Sequence, residues 1–237
     1  MNIFCRCCAM ALFAVIVCFG VVGCDSEKGA KAVNTAEMEE ARKENQEKVN
    51  YLYRFIDSKK HKYDQKKRII WVDSLKSLPS DNKSVYLYMG IDASGRNEKW
   101  INVVFHHSGE EWIYYHCDKI TFRNDKEAWT FEFPQVELWR GGETYITGKG
   151  KNQIYHETAD IGLSRVSEGL RILAEGENPK IQFHGIVHSV RDDCKLEHEP
   201  CRAITLEEVE NIRTYLKLNE GIIAEKALNR ECNRVHY

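Results

Sequence analysis

Val85-Tyr86-Leu87-Tyr88-Met89-Gly90-Ile91 (VYLYMGI) carries apolar side chains at every second position, with two tyrosines between them. A period of two sends successive side chains to opposite faces of a pleated strand. The stretch therefore predicts a strand at 85–91 with Val85, Leu87, Met89 and Ile91 on one buried face. Outward from it, residues 92–97 (DASGRN) have turn composition. Ile101, Val103 and Phe105 then resume the alternation, with Trp100, Asn102 and Val104 opposite. Residues 108–111 (SGEE) predict the next turn, and His106-His107 before it read as solvated turn residues. A third, long strand follows at 112–122, a turn at 123–126 (RNDK), and a fourth strand lined by Trp129, Phe131 and Phe133. Strands joined by short polar loops read as an antiparallel meander. Shorter candidates lie at 136–140 and 144–147, punctuated by Gly141, Gly142 and Gly148.

On either side of these strands the apolar period lengthens to that of a helix. Asn34 and Glu37 have the spacing of a helix start, and Met38, Ala41, Val49, Leu52 and Ile56 continue it to about Ser58. Ser164 reads as the cap of a short helix bearing Val166, Leu170 and Leu173, which Gly169 weakens by about 1 kcal/mol relative to Ala. A strand is expected at 181–190. Thr205 and Glu208 form a capping box, followed by Leu206, Val209, Ile212, Leu216 and Ile223 on one helical stripe. The segment 69–78 (IIWVDSLKSL) is apolar enough to be buried as helix or strand, and 79–82 (PSDN) ends it as a turn. The expected architecture is α+β: an antiparallel sheet covered by helices from the N- and C-terminal parts of the chain.

Composition bounds the function. Hydrophobic residues at 43% support a packed core, and charged residues at 30% argue against a membrane-buried body. The formal charge of −2 lacks the basic surplus that nucleic-acid binding requires, so no nucleic-acid partner is expected. One local exception is residues 59–68 (KKHKYDQKKR), with six Lys or Arg. They read as a solvated loop or helix face, or as a contact for anionic headgroups if the chain is held at a membrane.

The first residues supply such a context. Arg6 precedes an uncharged run over 7–23, short for a transmembrane span and suited to a signal-peptide core. Val21-Val22-Gly23-Cys24 ends it, and this segment resembles the lipobox of a bacterial lipoprotein precursor. The resemblance implies cleavage before Cys24, lipidation of its sulfur, and anchoring by more than one acyl chain. The competing reading is an uncleaved transmembrane anchor with a spare cysteine. Both put the rest of the chain outside the cytoplasm. Asp25 directly after the cysteine implies, in lipoproteins of the enterobacterial type, retention at the outer face of the inner membrane. The chain then divides into a signal peptide at 1–23, a lipidated tether at 24–33, and a single exported domain at 34–237 with an N-terminal amphipathic helix. Phe183-His184-Gly185 and the helices around it also resemble exported domains of uncharacterised lipoproteins.

Export favours disulfides. With Cys5, Cys7, Cys8 and Cys18 lost with the signal and Cys24 lipidated, Cys117, Cys194, Cys201 and Cys232 remain. Cys194 and Cys201 share one polar loop and are expected to pair, closing a small ring worth roughly 2–3 kcal/mol. Cys117 with Cys232 is the weaker pairing. His184, His188, Cys194, His198 and Cys201 tempt a metal reading. On a strand, however, His184 and His188 lie about 13 Å apart, too far to share one ion. Cys194, His198 and Cys201 retain a ligand-like spacing, but an oxidising compartment favours the disulfide, and no metal and no cofactor is expected.

His156-Glu157-Thr158-Ala159-Asp160 (HETAD) sets an imidazole beside two acids but lacks the second histidine of the HExxH zinc motif. These residues read first as helix capping or surface positions. His156, Glu157 and Asp160 are also the candidates for acid–base catalysis. The function expected is that of a membrane-anchored envelope lipoprotein whose domain binds or assembles with a protein partner without enzymatic activity. The alternatives are an envelope enzyme of the hydrolase type using the acid–histidine cluster, or an inhibitor or immunity-type lipoprotein.

Overall fold

The computed structural model describes residues 27–72, 84–109, 117–133, 144–185 and 201–234. The chain divides into two compact units, 1–41 and 42–237. The described part of the first unit is the opening of α1 (Glu27–Ser58), so the segment expected to be a tether is helical from Glu27, and Asn34 lies inside the helix. Two antiparallel sheets and the helices α2 (Leu163–Glu175) and α3 (Leu206–Arg234) make up the second unit, together with the C-terminal part of α1. The α+β architecture expected from the alternating and helical stretches is the one found.

The larger sheet begins as the meander that the alternation demands. β1 (His61–Asp64), β2 (Ile69–Val72), β3 (Val85–Asp92) and β4 (Lys99–Gly109) are neighbours in chain order. Residues 69–72 are thus strand, and the basic stretch 59–68 forms a hairpin with them. The turn at 79–82 lies outside the described residues.

Beyond β4 the simple meander stops. The next neighbour of β4 is β8 (Ile154–Gly162), flanked in turn by β7 (Thr144–Thr147). β5 (Cys117–Arg123) and β6 (Ala128–Glu132) leave for a second sheet, completed by β9 (Lys180–Gly185) and β10 (Cys201–Ala203). The candidate strand at 136–140 and the expected beginning of the third strand at 112–116 lie outside the described residues, as do 186–190.

The predicted inward faces are buried. Val85, Leu87, Met89, Ile101, Val103 and Phe105 join Leu52 and Ile56 of α1 and Ile212 and Leu218 of α3 in one core. Each such side chain contributes roughly 1.5–3 kcal/mol when fully buried. Phe105 also meets Phe122 of β5 edge-on at 5.5 Å, which carries the core into the second sheet. On α3 the buried stripe runs through Val209, Ile212, Tyr215, Leu218 and Ile222, whereas Leu206 and Ile223 are exposed. A stripe three to four residues wide drifts around so long a helix, and its ends fall off the core.

The start of α3 is also the tie to β3. Thr205 N and Oγ1 donate to Glu208 Oε2 at 2.8 and 2.9 Å, and Glu208 N returns a bond to Thr205 Oγ1 at 3.2 Å. The other carboxylate oxygen accepts the backbone N–H groups of Ser84 and Val85 at 2.7 and 3.0 Å. Glu208 is therefore buried because four donors surround it. Glu208→Ala leaves two buried N–H groups unpaired and removes the reciprocal half of the capping box, while Thr205 still caps α3, and should cost about 3 kcal/mol in urea unfolding.

α2 is capped at Gly162, not at Ser164, because β8 continues to Gly162 and turns directly into the helix. Its Gly169 is a contact position: a Cβ there would sit 2.4 Å from Phe122 Cδ2. Gly169→Ala should therefore destabilise by about 1–3 kcal/mol in thermal unfolding, against the gain of about 1 kcal/mol expected at an unconstrained helical site.

Candidate functional site: the polar face of the six-stranded sheet

Alternation that buries one face of β3 and β4 sets their other residues on a second face. Tyr86, Tyr88 and Gly90 lie there beside Trp100, Asn102, Val104, His106 and Ser108. β8 adds His156, Thr158 and Asp160, and β7 adds Tyr145 and Thr147. Three groups of side chains follow one another across this face.

At the β2 end the aromatic residues pack on each other. Trp71 meets Tyr88 and Trp100 edge-on at 5.6 and 6.3 Å. Trp100 lies across Gly90, where a Cβ would come within 2.3 Å of its ring. Glycine opposite an aromatic residue lets the ring cover the strand.

The middle group is a closed hydrogen-bond triangle. Tyr88 Oη donates to Asp160 Oδ2 at 2.5 Å, and Asn102 Nδ2 donates to Asp160 Oδ1 at 2.7 Å and to Tyr88 Oη at 3.1 Å. Burial, and then the Asp160 carboxylate, push the Tyr88 hydroxyl far above the usual tyrosine range.

At the β7 end sits a histidine pair. His106 Nε2 faces His156 Nδ1 at 3.2 Å, and His156 Nε2 shares a hydrogen bond with Thr147 Oγ1 at 2.7 Å. Tyr145 stacks on the His156 ring at 4.4 Å. Both imidazoles are buried, so His106 is not the solvated turn residue its Ser-Gly neighbours suggest. β4 runs on to Gly109 because β8 pairs with it that far.

The expected catalytic residues separate on this frame. HETAD is an interior stretch of β8, not a cap or surface segment, and His156 and Glu157 are both 0% exposed. His156 and Asp160 share the polar face but lie four residues apart, about 13 Å along a strand. Glu157 falls on the opposite, helix-covered face, in register with His107. The three groups do not converge.

Cys194 and the rest of its loop, like Cys24, lie outside the described residues. Cys117, Cys201 and Cys232 are placed by backbone alone, at the starts of β5 and β10 and in the last turns of α3. Of the histidines weighed for metal, His184 shares a 2.7 Å hydrogen bond with Thr121 Oγ1, and His188 and His198 lie outside the described residues. Among the described residues no three His, Cys, Asp or Glu side chains gather as an ion would require.

A charged cluster that the sequence patterns did not single out lies on the helix-covered side. Lys99 Nζ donates to both carboxylate oxygens of Glu225 at 2.8 Å and to Tyr53 Oη at 3.2 Å. Burial pulls the Lys99 ammonium down, but Glu225 and Tyr53 outweigh it and hold its pKa above the usual lysine value. Burial, then Glu225, raise Tyr53. A signal for the cluster exists in the sequence: Lys99 stands in the apolar register of Ile101, Val103 and Phe105. A lone charge in that register marks a buried pair.

No protein-family model, curated protein or solved structure matches the chain. Its chemistry is therefore read from its own residues.

Raised folded-state pKa values at Tyr88, Tyr53 and Lys99 set the alkaline limb of stability. The unfolded chain loses these protons first, near pH 10, so stability is fully present below that pH and declines as pH rises above it. Tyr88→Phe should cost about 1–2 kcal/mol at neutral pH, by removing a donor to Asp160. It should also flatten part of the alkaline decline measured by urea titration.

Proposed function

We propose that the protein is a cell-envelope lipoprotein, anchored through Cys24 and facing outside the cytoplasm, whose folded domain binds or assembles with a partner and has no enzymatic activity. The anchor rests on Val21-Val22-Gly23-Cys24 and the apolar run before it. With Asp25 behind the cysteine, the location we assign is the outer face of the cytoplasmic membrane. No helix among the described residues is long and apolar enough to cross a membrane.

One observation carries the choice of binding over catalysis. A general acid–base pair must bring two titratable groups to one reacting atom. His156, Glu157 and Asp160 are spread over two faces of β8, and Asp160 and His156 are engaged by Tyr88, Asn102, Thr147 and His106. Such groups stiffen the sheet and are poorly placed to move a proton to a substrate.

Exposure selects the contact surface. The strand aromatics Trp71, Tyr88 and Trp100 are spent on one another, whereas Tyr51 of α1 stands out in solvent. We assign partner contact to the exposed face of α1 that carries Tyr51.

The mature protein should carry acyl mass on Cys24, and Cys24→Ala should abolish metabolic palmitate labelling and release or mislocalise the chain. Unchanged membrane retention without labelling, in either form, would remove the lipoprotein reading. The same mass spectrum reads the Cys194–Cys201 bridge, which we retain as a proposal, as a linked peptide pair before reduction.

A further inference from the structure

The basic stretch 59–68 is folded into the β1–β2 hairpin at the edge of the six-stranded sheet. Lys60, Lys62, Lys66, Lys67 and Arg68 are all exposed along it. Ala93 N donates to Arg68 O at 2.8 Å, which brings the neighbouring turn and its exposed Arg96 alongside. Of the three carboxylates within this group, Glu98 is exposed at the end of the Arg96 turn and the other two are hydrogen-bonded inside the group. Asp64 Oδ1 accepts the backbone N–H groups of Lys66 and Lys67 at 3.0 and 3.1 Å. Asp92 is bound by the hydroxyl and N–H of Ser94, and these bonds, with Arg96 and Arg68 nearby, hold it below the usual carboxylate range. Six cations thus stand against three carboxylates, Asp64, Asp92 and Glu98, a local surplus of positive charge on a chain whose formal charge is −2.

Edge strands commonly carry lysine to prevent strand-to-strand aggregation, and Lys60 and Lys62 fit that purpose. It does not account for the rest. Lys66, Lys67 and Arg68 lie in the turn beyond the strand ladder, and Arg96 comes from a different hairpin. Arg68 even takes a left-handed backbone conformation, φ 55°, where glycine would be less strained. Tyr63, 56% exposed, stands on the same strand, and tyrosine is enriched where protein meets the headgroup layer.

We propose that this hairpin and the adjoining turn dock on anionic phospholipid headgroups, laying one edge of the sheet against the membrane. The proposal rests on the lipoprotein reading, which puts the domain beside a bilayer. Clustered cations near an anionic surface act additively, and their attraction is screened by salt.

The test uses the full acylated chain in proteoliposomes of phosphatidylcholine, with and without about a third phosphatidylglycerol. Trypsin cleavage at Lys60 and Arg68 is followed by mass spectrometry. Anionic vesicles should slow that cleavage by about tenfold or more relative to neutral ones, on the order expected for several lysines at a charged surface. High salt should remove the protection, as should the combined variant Lys62→Gln, Lys66→Gln, Lys67→Gln, Arg96→Gln. Equal cleavage in the two vesicle types would overturn the proposal, as would protection by soluble polyphosphate but not by anionic vesicles. Palmitate labelling of Cys24 is scored separately. Labelled protein without anionic protection sinks the docking surface alone. Anionic protection of unlabelled protein sinks the anchor alone.

Discussion

The carboxylate of Glu208 is the point on which the larger body depends. It closes the capping box that starts α3, and it receives the two N–H groups that begin β3. Because β3 pairs with β4 and β4 with β8, that carboxylate joins the start of α3 to the whole six-stranded sheet, alongside the shared core and the Lys99–Glu225 pair. A buried charge is costly unless its lone pairs are filled, and four donors fill these. The result is a joint between a local motif and a contact more than a hundred residues away in sequence.

β4 then divides the protein into two chemistries. One face of this strand presents Ile101, Val103 and Phe105 to the helices, and Lys99 at its start reaches Glu225 of α3. Its other face holds Asn102 and His106, each bonded to β8. The polar face is therefore a network that ties strands together, with Asp160 held by Tyr88 and Asn102 and the two imidazoles facing each other. That is why the acid–histidine stretch of β8, suggestive when written as letters, makes no converging site.

Much of the fold is legible in the chain because its rules are local. The alternation in 85–91 and 101–105, the Thr205–Glu208 spacing and the helical period before Ser58 each depend on residues close in sequence, and each element lies there, although α1 begins at Glu27 and not at the expected Asn34. His106 and Gly169 mislead for one shared reason. Ser108-Gly109 looks like a turn only until β8 pairs with that end of β4, and Gly169 looks like a weakness only until Phe122 is seen against it. At both positions the deciding neighbour is contributed from far along the chain.

The α+β class, the inward faces of the central strands and the cap of α3 are written in contiguous residues, and for these the sequence alone suffices. The parting of the strands into two sheets is a property of the assembled chain, since β8, far along the sequence, holds the edge of β4 that a simple meander gives to β5. So are the meeting of His106 with His156, the meeting of Lys99 with Glu225, and the addition of Arg96 to the cations of the β1–β2 hairpin. Those outcomes are set by which strands become neighbours, and pairing between distant segments leaves no periodic mark in either one.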